Sequence, residues 1–148
     1  MTNVTADIGR QVAFSVPWAA LCSDNAKAVP KRGGKGITNS TSYREAKNLM
    51  MDIVAIHCRN VRHREPFEGP VFVRATVHFP IDQRKTQRKR DAPNWTKLIL
   101  DAMKGKVYVD DDQVKRYLIE EGALDAVGGA TIVIVPLLDW EPPEMRRA

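Results

Sequence analysis

The stretch "KTQRKRDAPNWTKLILDAMKGKVYVDDDQV", residues 85–114, decides how the rest of the chain is read. In its middle, Trp95, Leu98, Ile99, Ala102 and Met103 recur at helical spacing, which predicts a helix from residue 93 to 103 with one apolar side. Pro93 fits a first helical turn, where an N–H is not needed, and Gly105 stops the helix. Before it, Val71, Val73, Ala75, Val77 and Phe79 alternate with Arg74, Thr76 and His78, a half-buried strand ended by Pro80. After it, "KVYV" approaches three successive aspartates, and "QVKRYLIEE" (113–121) resumes as a strand.

Working outward, "QVAFSVPW" (11–18) reads as a first strand stopped by Pro17. Residues 22–39 have loop composition, with Pro30 and three glycines. A loop this long in a compact domain is usually functional or mobile. A second helix is predicted to start near 40–42, where Ser42 and Glu45 have the capping-box spacing. Its apolar face runs Tyr43, Ala46, Met50, Ile53 and His57, widened by Leu49 and Ile56. It should fray near 59–64, where basic side chains suit the negative end of the helix dipole. "GALDAVGG" turns the chain and "ATIVIVPLL" (130–138) is a buried strand, while residues 1–9 and 139–148 read as loose termini. The expected fold is of the α/β (α+β) class: a small mixed β-sheet packed against two main helices, one domain over 1–148, without internal repeats.

The 148 residues are 43% hydrophobic and 28% charged, ordinary for a globular domain. No apolar run approaches the roughly 20 residues of a membrane span. The start "MTNVTADIGRQ" lacks the basic and apolar regions of an export signal. A cytoplasmic location is therefore expected. Cys22 and Cys58 stand far apart without metal-type spacing, and read as free thiols in a reducing compartment rather than zinc ligands.

The net charge is +5 and the pI about 9.4. Arg84, Lys85, Arg88, Lys89 and Arg90 fall within seven residues, a positive density suited to a phosphate backbone or to a solvated loop tip. Lys27, Lys31, Arg32 and Lys35 make a second basic segment. On the helix after the first block, Asn94, Lys97 and Asp101 share a face, and Asp91 lies just ahead of it. Asp110, Asp111 and Asp112 follow; alone they could form a solvated turn. Two carboxylates about 5 Å apart repel by roughly 3 kcal/mol at an effective dielectric near 20. Several together need a proton, a lysine or arginine, or a hard cation such as Mg²⁺ or Mn²⁺. The alternating acids and central glycine of an EF-hand are absent. A divalent ion among aspartates, beside a phosphate-binding basic block, is the equipment of phosphodiester hydrolysis. His57, His63 and His78 lack ligand spacing and are not expected to be catalytic, and Trp95 reads as core.

At these residues the sequence resembles the RusA family of Holliday junction resolvases. The pattern D-x-D-N-x-x-K-x-x-x-D-A, a short gap with Gly, then an aromatic and D-D-x-Q-[VI], is carried by Asp91, Asn94, Lys97, Asp101, Ala102, Gly105, Tyr108, Asp110, Asp111, Gln113 and Val114. Gln113 sets the register, making Asp110 and Asp111 the family pair and Asp112 the variable position. The resemblance extends over most of residues 10–136. It implies a homodimer that binds four-way junction DNA and nicks opposed strands with Mg²⁺, with no organic cofactor. By the same resemblance Asp91 and Asp111 are metal ligands, Asp110 and Asp101 support them, and Lys97 assists at the scissile phosphate. Arg84, Lys85, Arg88, Lys89, Arg90, Lys31, Arg32 and Lys35 would bind DNA. One position departs: the second acid of D-x-D-N is Pro93. That leaves two expectations, an active resolvase or a branched-DNA binding protein of the same fold with weak or no cleavage.

Overall fold

In the computed structural model, residues 10–21, 28–30, 37–39, 41–81 and 95–141 are described. Six strands and two α-helices occur among them: β1 (Val12–Pro17), β2 (Ala28–Pro30), β3 (Ile37–Asn39), α1 (Thr41–Asn60), β4 (Val71–His78), α2 (Thr96–Met103), β5 (Val114–Glu121) and β6 (Gly129–Pro136). The main sheet runs β1-β6-β4-β5. β6 pairs antiparallel with both β1 and β4, whereas β5 lies parallel to β4. Parallel neighbours need a crossover connection, and α2 supplies it. The fold is the small α+β arrangement expected, a mixed sheet with two main helices.

Period-two sequence explains the sheet. Val12, Phe14 and Val16 on β1, Val71, Val73, Ala75 and Val77 on β4, and Ala130, Ile132 and Ile134 on β6 are buried in one core. Intervening positions such as Ser15, Arg74 and Thr131 are exposed. α2 closes the same core with Leu98, Ile99, Ala102 and Met103. Trp95 is 6% exposed and packs with Trp18 and Phe79, ring centroids 5.4–6.0 Å apart, which pins the start of α2. The core reading of Trp95 holds.

Three expectations need correction. The face that α1 buries is Tyr43, Ala46, Met50, Val54 and Cys58, while Leu49 and Ile56 are exposed. The apolar residues of α1 span too wide an arc for periodicity to choose among them. Ser42 lies within α1, after its first residue Thr41, rather than at the cap. Within 22–39, read as loop, β2 and β3 form a two-stranded antiparallel ribbon pairing Ala28 with Asn39 and Pro30 with Ile37.

β5 contains an irregularity next to the acidic turn. Val71 faces Val114 but Phe72 faces Arg116, so Lys115 is left unpaired in the ladder. Bulges shift the inward phase of a strand by one residue. Here Tyr117 and Ile119 pack on the core and Leu118 stands outside. The ammonium of Lys115 lies 5.0 Å from the ring centre of Trp140, and Arg116 reaches Asp139 at 4.0 Å. Residues 139 and 140 thus each meet a side chain of β5.

Candidate active site

The end of the β4–α2–β5 crossover gathers the acidic residues. α2 ends at Met103, and Gly105 follows at φ +83°, a conformation that glycine adopts without a Cβ clash. The Gly105 N–H donates to the Tyr108 carbonyl at 2.7 Å, closing a tight loop. Tyr108 is fully buried, and its hydroxyl donates to the Leu100 carbonyl at 2.6 Å. Burial first, then the nearby Asp111, Asp101, Tyr117 and Asp110, pushes its pKa well above the usual phenol value. The phenol thus stays a donor and staples the loop to α2.

Asp110 to Gln113 form the next element, a single 3₁₀ turn over Asp111–Gln113 capped by Asp110. Asp110 Oδ1 accepts the Asp111 N–H at 2.7 Å, and Gln113 reaches back in a full capping box. Gln113 does more than cap. Its Oε1 accepts the N–H groups of Val109 and Asp110, both at 2.9 Å, while its Nε2 donates to the carbonyls of Phe67 at 2.7 Å and Gly69 at 2.9 Å. Every hydrogen-bonding site of the amide is used. One side chain clamps the acidic turn to the segment entering β4.

Two lysines face the acids. Lys97 Nζ lies 3.4 Å from Asp101 Oδ2, one helical turn away on α2. Lys104 Nζ lies 3.1 Å from Asp110 Oδ1. The Lys104 ammonium is favoured by its hydrogen bond to Asp110, then by the charges of Asp110, Asp111 and Asp101, so its pKa rises above the ordinary lysine value. That of Asp110 falls, first through the hydrogen bond from Lys104 and then through those with Asp111. The opposed shifts describe one neighbourhood of three carboxylates and a cation.

Of the residues singled out in the sequence, Lys97, Asp101, Asp110, Asp111 and Gln113 meet at this edge. Asp91, Asn94, Arg84, Lys85, Arg88, Lys89, Arg90, Lys31, Arg32 and Lys35 lie outside the described residues, as does Pro93. Among the described residues no three His, Cys, Asp or Glu side chains stand together so as to hold a metal ion. Asp101, Asp110 and Asp111 nonetheless offer the hard oxygen donors that Mg²⁺ takes. Lys104 is absent from the sequence-based set, although its i+3 spacing from Asp101 was there to read.

The histidines are structural. His63 is 7% exposed, and its Nδ1 accepts from Arg10 at 2.8 Å while its Nε2 donates to the Val107 carbonyl at 3.0 Å. His78 uses Nδ1 to bond the Ala123 carbonyl at 2.8 Å, and His57 stacks on Phe14 at 5.6 Å.

A mixed sheet whose one parallel crossover ends in a cluster of carboxylates and lysines defines a small α+β protein with a polar, acid-rich edge. Among protein families, the model described as "Endodeoxyribonuclease RusA" matches residues 17–135. The chain belongs to the RusA family. That membership implies nuclease activity in general and is consistent with a structure-specific enzyme acting on DNA. No curated protein matches the chain. Among the described residues no helix is long and apolar enough to cross a membrane.

Proposed function

We propose that this protein is a Mg²⁺-dependent, structure-selective endodeoxyribonuclease that resolves four-way DNA junctions by paired nicks, working as a homodimer. The observation that carries the reading is the acidic turn of Asp110 and Asp111, with Lys104 Nζ 3.1 Å from Asp110 Oδ1, at the crossover edge of a RusA-family chain. Without a cation, such an arrangement is repulsive. A four-way junction has approximate two-fold symmetry, and a two-fold dimer offers it two matched sites.

Asp91 and Asp111, supported by Asp110 and Asp101, would hold the metal ion, which when bound activates water and stabilises the leaving oxygen. The reaction adds a water oxygen to phosphorus and breaks one phosphorus–oxygen ester bond, the leaving oxygen taking up a proton. The chain's own groups do the positioning. Gln113 fixes the direction of Asp110 and Asp111, and Tyr108 fixes the loop to α2. Lys104 offsets charge at Asp110. Lys97 is the cation assigned to the scissile phosphate, where it stabilises added negative charge.

The test is a labelled synthetic four-way junction incubated with and without Mg²⁺, beside Asp111→Asn and a linear duplex. Paired nicks near the crossover, lost in the variant and without metal, are expected. Undiminished cleavage by Asp111→Asn would refute the assignment. Pro93 supports a second reading, a junction-binding protein with weak cleavage. Tight, metal-independent binding with no cut in Mg²⁺ or Mn²⁺ would establish it.

A further inference from the structure

A separate cluster of positive charge lies at the C-terminal end of α1. Arg59, Arg64 and Lys106 line a cavity of about 330 Å³ together with the neutral His63 and the apolar surface of Ala55, Cys58 and Pro66, and no carboxylate belongs to its wall. This is the small end of the range for ligand pockets. Arg59 and Arg64 are exposed, and neither is paired with a carboxylate among the described residues.

The ordinary explanation for basic residues here is that they cap the helix. Backbone groups already supply part of that capping. The Arg62 N–H donates to the Arg59 carbonyl at 3.2 Å and the His63 N–H to the Cys58 carbonyl at 2.8 Å. This is a complete Schellman closure, so the carbonyls of Cys58 and Arg59 are already served by backbone. The guanidinium groups are left to face solvent and the cavity.

The closure carries a second anomaly. Its left-handed position is Arg62, at φ +59°, the only non-glycine residue with positive φ among those described. Glycine is the residue that fits this position without strain. A strained arginine on the same turn as Arg59 and Arg64 places three guanidinium groups within six residues. Strain kept at one position is a pointer to function.

The cavity is also joined to the acidic edge. Lys106 on its wall lies two residues from Lys104, which bonds Asp110, and the loop between them is the one closed by Gly105 and Tyr108. We propose that this cavity and the turn bearing Arg62 grip a backbone phosphate of the nucleic acid, at a place distinct from the basic run at 84–90. The proposal rests on the DNA-directed reading above. A phosphodiester is favoured over a free phosphate monoester because the cations are spread along a turn rather than closed around one point.

The experiment measures binding of a labelled four-way junction in EDTA across a salt series, so that cleavage plays no part. Wild-type protein is compared with Arg59→Gln/Arg64→Gln and with Arg62→Gly. Each phosphate contact contributes about 0.9 to the slope of log affinity against log salt. The double variant should lose about 0.9 from that slope, so its loss of affinity between 50 and 200 mM salt should be about three- to fourfold smaller. Arg62→Gly should bind more weakly while melting at a higher temperature, which a purely structural arginine would not do. Variants that bind like the wild type, with the same slope, overturn the inference and leave the nuclease reading standing. Failure of the wild type to bind any DNA removes both. A titration with inorganic phosphate, followed through amide signals of Cys58 and Gly105, separates the remaining source. Saturable shifts in the wild type together with unchanged DNA binding by the variants would assign the cavity to a free anion and refute the backbone contact.

Discussion

Two turns close the two helical connections, and they are built on opposite terms. The acidic turn at Asp110–Gln113 concentrates like charge, yet every donor and acceptor of its Gln113 amide is satisfied. The basic turn after α1 has a complete backbone closure, yet carries Arg62 in a left-handed conformation and arginines without acid partners among the described residues. One turn is held by a fully bonded amide; the other carries a left-handed residue among exposed charges. A rigid polar scaffold suits groups that must keep fixed mutual geometry, as carboxylates around a cation must. A row of outward arginines suits a partner whose position is set by many weak contacts.

The largest effect should come from the acidic turn's chemistry. Asp111→Asn is expected to abolish junction cleavage while leaving the melting temperature near wild type, a contrast read by a nicking assay beside thermal unfolding. Gln113→Ala should break the turn's rigidity instead. Two backbone N–H groups and two carbonyls lose their partner, which at a part-buried site costs about 2 kcal/mol. In a domain of this size that lowers Tm by roughly 4–8 °C. Cleavage should fall more than junction binding, because the carboxylates lose their orientation.

On the basic turn the sign reverses. Arg62→Gly removes left-handed strain and should raise stability by about 1 kcal/mol, a gain visible in urea unfolding as a higher midpoint with unchanged slope. A lower midpoint would mean that the arginine side chain holds the turn together, and the contrast between the turns would collapse.

The smallest effect concerns Lys104. Its hydrogen bond is the first cause of the lowered Asp110 pKa, which lies below the ordinary 3.8. A carboxylate with a depressed folded-state pKa stabilises the fold above its unfolded value, and that contribution disappears as pH falls through the folded value. Lys104→Met should therefore move the Asp110 titration upward, observable by carboxyl NMR, and shift the onset of acid unfolding to slightly higher pH. An unmoved titration would assign the shift to the Asp111 N–H instead.

The parts of this structure readable in the sequence are those governed by one local period. β4 and the buried side of α2 follow directly from the alternation at 71–79 and the spacing of Trp95, Leu98, Ile99, Ala102 and Met103. The face of α1 is legible at Tyr43, Ala46 and Met50 but not beyond, because Ile53, Ile56 and His57 compete with Val54 and Cys58, and only packing against the core decides between them. β2 and β3 are three-residue strands among Pro, Gly and Lys, too short to show any alternation. The bulge at Lys115 is invisible for a different reason: it changes the phase of β5 without changing its composition. At the site, Asp110, Asp111 and Gln113 are legible as a motif. What Gln113 does is not, since two of its partners lie 44 and 46 residues earlier in the chain.

That separation has a bearing on when the protein becomes competent. Contacts between distant parts of a chain form late, after the entropy of closing the intervening segment has been overcome. Residues 67–69 and the Asp110 turn can meet only once β4, α2 and β5 have come together, because the clamp spans the whole crossover. The backbone closure of the basic turn after α1, by contrast, joins residues no more than five apart. On the proposed function, a chain emerging during synthesis would close its arginine turn before its aspartates are aligned. It would then be able to touch nucleic acid before it has the means to cut it.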